Sequence, residues 1–220
     1  MSNTLSSLSM KRIIISLIIF ALIPVCAHVL NLFIHEEDLS MMVSMNVLTS
    51  VLIIYDWNLV GIHYNRAKNN IPDTILFFVI GLVLIRLWTW FGMSFLQVRP
   101  LLPAAETAVK YPYAVPSLLI AFSYIQAAMV NISFKCITDH LDVRSREIQA
   151  ILISGILFGL VYTIAFTSLP LSMNSLFRTY LYNLVLVAIL SYLYNQSNSF
   201  IPGILSMGTI YLLLMLSEIL

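Results

Sequence analysis

Charge is what this sequence lacks most. Of its 220 residues, 10% are Asp, Glu, Lys or Arg, against about 25% in ordinary soluble domains. Eleven basic and ten acidic residues leave a net charge of +1. That balance gives no basic footprint for nucleic acid, so no nucleic-acid partner is expected. Cysteine is scarce too. Cys26 and Cys136 are the only two, too few for a disulfide framework. The four histidines, His28, His35, His63 and His140, lie too far apart for metal-ligand spacing. No metal and no cofactor are expected. No internal repeat and no low-complexity segment interrupt the chain.

What fills the chain is apolar. Hydrophobic residues make up 60% of it, arranged in runs of about 20 residues, each long enough to cross a bilayer. The runs cover about 12–34, 41–63, 73–96, 114–135, 148–168, 177–195 and 200–220. The expected fold is therefore all-α: a polytopic transmembrane helical bundle of about seven spans. It forms one integral membrane domain over 1–220, with no room for a soluble domain between runs. Lys11-Arg12 before the first run looks like a signal peptide. The run reaches about Phe33, so an uncleaved first helix is the better reading.

The basic residues choose an orientation. With the N-terminus inside, the inner segments hold Lys11, Arg12, Arg66, Lys68, Lys135, Arg144 and Arg146. The outer ones hold Arg99, Lys110 and Arg178. Excess Lys and Arg mark the cytoplasmic side, which predicts an N-terminus inside. The loop Lys110–Tyr113 reads as an interfacial belt and Glu36–Asp38 as a solvated outer loop. Asp56 and Arg86 fall inside the second and third runs. A charge within a span is costly and normally paired, which predicts an Asp56–Arg86 ion pair.

Three passages carry a motif-level signal: VNISFK (Val130–Lys135), FGLVY (Phe158–Tyr162) and YNQSNSFIPGILSMGTIY (Tyr194–Tyr211). In order and spacing they resemble the signature boxes of the CAAX protease and bacteriocin-processing family of bacterial intramembrane proteases. The resemblance covers about residues 114–220, spans four to seven, with 1–113 holding spans one to three. At the family's paired glutamates stand Val130 and Asn131, and at its arginine Lys135. The histidine of the second box is Tyr162. The third-box histidine and its Asn or Asp partner are Met207 and Tyr211. Water activation needs a carboxylate or an imidazole, and these positions offer neither.

The resemblance therefore implies a degenerate homologue with no catalytic residues. It would sit in a bacterial cytoplasmic membrane, among lipids, and act on a membrane-protein or peptide partner. Its role would be that of a scaffold or regulator, or of an immunity protein against a bacteriocin. The alternative is an active metallopeptidase cutting prenylated-type or bacteriocin-like peptides. It would have to use Asp56 and Glu218, with His28 as the buried imidazole. A transporter would need more polar residues along a path. Its broken helices would start from Pro24, Pro116 or Pro202.

Overall fold

The computed structural model describes residues 2–98, 115–142, 146–166 and 172–219. The described chain is an all-α bundle with no strands. The helices are α1 (Ser2–Ile34), α2 (Glu37–Tyr55), α3 (Trp57–Asn69), α4 (Ile71–Phe91), α5 (Val115–Asp142), α6 (Glu147–Phe166), α7 (Met173–Ser197) and α8 (Ile201–Ile219). A single π-helical turn, Gly92–Leu96, extends α4. Six helices are long and apolar enough to cross a membrane. The last stretch, Ile201–Ser217, is apolar but shorter. Low charge and long apolar runs produce this result directly, because only helices satisfy their own backbone in lipid.

Two expected spans run differently. The second does not continue from 41 to 63. It breaks at Asp56, which closes α2 and precedes α3 with φ −100° and ψ 22°. By then α2 has used 19 residues, about 28 Å of rise, close to the ~30 Å of a hydrocarbon core. α3 turns Leu59, His63 and Ala67 inward at four-residue spacing. The fourth span does not stop near 135. α5 runs on to Asp142, and Lys135 and Asp139 are joined one turn apart along it. Prolines do not break the helices. Pro24 stands inside α1, while Pro116 and Pro202 occupy first turns, where no backbone donor is lost.

α5 is the axis of the bundle. It packs against α1, α2, α6, α7 and α8. Its span is 72% buried, against 22% for α4, so α5 is where buried polar groups must find partners. The tightest helix pair is α6 with α7, at Gly155 and Gly159. A Cβ on Gly159 would lie 2.8 Å from Leu184 Cα and 2.9 Å from Leu184 N. Small residues four apart let backbones approach this closely.

The antiparallel order places one set of ends together. The starts of α1, α4, α6 and α8 meet the ends of α2, α5 and α7. Arg12, Arg66, Lys68, Lys135 and Arg146 all belong to this polar end. Lys110–Tyr113, Arg99 and Arg144 lie outside the described residues.

Candidate functional site

Four of the six box positions meet in the middle of the bundle. Asn131 on α5 is fully buried, and its Nδ2 donates to Ala127 O at 2.8 Å. The same nitrogen lies 4.0 Å from Met207 Sδ on α8. One turn along α8, Tyr211 shares a hydrogen bond with Tyr162 on α6. Gln126 Nε2, on α5, donates to the Tyr162 hydroxyl at 3.1 Å. Phe20 of α1 closes this cluster, edge-on to Phe158 at 5.1 Å and to Tyr162 at 6.3 Å. Val130 is buried apolar core beside Asn131. Gln126 was not singled out from sequence. Only its place on the buried face of α5, five residues before Asn131, could have marked it.

The side chains of this cluster fill the core. Tyr162, Met207 and Tyr211 are each no more than 3% exposed. Two acceptors remain open, Gln126 Oε1 and Asn131 Oδ1, both buried without a hydrogen-bond partner. The groups present are amides, phenols and a thioether. They can donate and accept hydrogen bonds. None is a carboxylate or an imidazole that could take a proton from water near neutral pH.

Lys135, the sixth position, belongs to a second centre at the polar end. It is 4% exposed, bonded to Asp139 and lying 5.5 Å from the Tyr194 ring centroid. Tyr194 donates to the other Asp139 oxygen at 2.6 Å. The His63 ring packs on Phe200 at 4.5 Å and on Tyr194 at 5.7 Å. His63 bonds the Asn198 carbonyl, and its Nδ1 has no partner. Burial, with Lys135 and Arg66 nearby, pushes the His63 imidazole down to about 4. It is therefore neutral at physiological pH.

Asp56 is in the same end layer, and its partner is not the expected one. Arg12 Nε on α1 lies 3.3 Å from Asp56 Oδ1, whose side chain is fully buried. Arg86 points elsewhere. Its side chain is exposed, on the face of α4 that also exposes Val79, Val83 and Trp90. The Asp56–Arg86 pair is thus replaced by Arg12–Asp56. The reason is the break after α2, which puts Asp56 at the helix end beside the start of the α1 span. His28, expected as the buried imidazole, is exposed. The buried ones are His63 and His140. Nothing is described for the Glu218 side chain.

An open cleft of about 230 Å³ lies at this end, lined by Asp139, Glu147, Tyr194, Asn195 and Asn198. Its two carboxylates are already engaged, Asp139 by Lys135 and Tyr194, and Glu147 by Gln196 Nε2 at 3.2 Å. Among the described residues, no group of three or more His, Cys, Asp and Glu could hold a metal ion. No family model, no curated protein and no solved structure matches the chain.

Proposed function

We propose that the chain is a non-catalytic relative of the CAAX protease and bacteriocin-processing family, a bacterial inner-membrane protein with its N-terminus inside. It binds a membrane protein or a peptide, as a scaffold or regulator or as an immunity protein. One observation carries this reading. Four of the six box positions, Asn131, Tyr162, Met207 and Tyr211 on α5, α6 and α8, sit together, bonded to one another or to core neighbours. The orientation is supported by the cluster of basic residues at the Arg12 end.

Reconstitution in lipid nanodiscs tests it. The protein is incubated with zinc and with prenylated-type and bacteriocin-like peptides. The expected result is no cleavage above a protein-free control. Metal-dependent cleavage that disappears in Tyr162→Phe and Asn131→Ala, with folding intact, overturns the reading.

A further inference from the structure

We infer that the outward face of α4 around Arg86 is an intramembrane docking surface for a partner's transmembrane helix that carries a carboxylate at the same depth. Arg86 lies 15 residues into a span that runs from Ile71 to Leu96. It is exposed and has no ion-pair partner among the described residues. Around it the face is apolar: Ile75, Val79, Val83 and Trp90 are each about half exposed. In a membrane, exposure on this face means contact with lipid tails or with another helix.

Two facts disfavour lipid alone. The first is depth. From Arg86 to the Leu96 end is about 15 Å of helix, and to the Ile71 end about 22 Å. The span's 26 residues rise about 39 Å, more than the ~30 Å core. A centred core leaves the Arg86 Cα about 10 Å inside the nearer boundary. The second is direction. Helical side chains lean toward the helix N-terminus. For Arg86 that lean is toward the Ile71 end, away from the nearer interface. Snorkelling out to a headgroup runs against it, so a carboxylate within the bilayer is the better partner.

Among the acids whose side chains are described, a second copy of this chain offers none at that depth. Asp56 is buried against Arg12. Glu36, Glu37, Asp38, Asp73, Asp139 and Glu147 all lie at helix ends. None of these described acids faces lipid at the depth of Arg86. The proposed occupant is a different chain, held by a charge-assisted bond between Arg86 and an Asp or Glu, and a second copy is an outcome of the test.

This deepens the proposed binding role and rests on it. The test uses the full chain in phosphatidylcholine nanodiscs and a labelled Leu–Ala transmembrane peptide of about 25 residues. The peptide carries one Glu about 10 residues from one end, with Gln and Leu versions as comparisons, and association is read by energy transfer. The Glu peptide is expected to bind about five- to ten-fold better than the Leu peptide. Arg86→Leu should abolish that preference, and Arg86→Lys should keep part of it. Equal binding of the three peptides, or an undiminished Glu preference in Arg86→Leu, overturns the inference. So does association that follows added anionic lipid instead of the peptide's Glu. Energy transfer between two copies of the protein that is lost in Arg86→Leu also overturns it, and makes the occupant a second copy. Arg86→Gln, polar and uncharged, checks that any loss is not one of folding. Peptide cleavage in the zinc assay with an Arg86-dependent Glu preference would sink the non-catalytic reading and keep this one. The reverse pattern would do the opposite.

Discussion

The mid-bundle cluster and the polar end handle buried polar groups in different ways. At the polar end, Arg12–Asp56 and Lys135–Asp139–Tyr194 place full charges where one partner can touch the interface. Arg12 is one-third exposed, and the Asp139 side chain is 38% exposed. In the middle, Gln126, Asn131, Tyr162 and Tyr211 are neutral, and all are nearly or fully buried. Water can share the cost of charge at the end of a bundle but not at its centre. Of these two centres, the middle one is built from neutral groups and the charged pairs stand at the rim.

The largest expected effect breaks the scaffold on which both centres hang. Gly159→Leu drives a side chain into the backbone of Leu184, 2.8 Å from the new Cβ. Backbone cannot step aside as a flexible side chain can, so α6 and α7 must separate. No cooperative melting transition is expected in detergent. A Tm within a few degrees of wild type would mean that the α6–α7 contact is looser than described.

Next comes the charge at the rim. Arg12→Met leaves the fully buried Asp56 carboxylate without its cation. Removing one partner of a buried pair costs about 3 kcal/mol or more. The double variant Arg12→Met, Asp56→Leu should recover most of the loss, while Arg86→Met should leave stability near wild type. Thermal melts in one detergent decide this. Equal losses in Arg12→Met and Arg86→Met would return Arg86 to the pair.

A pH scan sharpens the contrast, because the mid-bundle cluster has nothing to titrate near neutrality. His63 does. Its folded pKa is about 4, below the ~6.5 of a free imidazole. The unfolded chain therefore takes up the proton first, and the His63 contribution to stability falls as pH drops from about 6.5 toward 4. His63→Phe should flatten that part of the stability curve. An unchanged slope in this variant would show that His63 is not the titrating group.

Much of this was legible in the sequence, for a physical reason. Long apolar runs with little charge can form only helices in a membrane, so the fold class followed from composition. Helix breaks were harder. The run from 41 to 63 carries no proline or strong turn signal, and the break at Asp56 depends on where α1 places Arg12. The partner of Asp56 was misread for the same reason. Arg86 and Arg12 are equally plausible partners along the chain, and only tertiary packing chooses. Four of the six box positions, Asn131, Tyr162, Met207 and Tyr211, proved to be neighbours. Gln126 was missed because nothing local distinguishes one amide on a helix from another. A basic residue near the end of a span ordinarily snorkels, but the longer α5 and its Asp139 hold Lys135 inside.

The smallest expected effect tests the mid-bundle cluster itself. Tyr162→Phe removes one oxygen and leaves the ring that packs edge-on to Phe20. Gln126 Nε2 loses its acceptor, and Tyr211 loses its partner. Leaving such a buried group unsatisfied costs about 1–2 kcal/mol. A second change should return part of that. In Tyr162→Phe, Gln126→Leu the orphaned amide is gone, including the Oε1 that has no partner even in the wild type. Stability of the double variant should equal or exceed that of Tyr162→Phe alone. If the double is less stable than either single variant, Gln126 is held by something other than Tyr162. The cluster would then not be the closed hydrogen-bonded set on which its contrast with the charged rim depends.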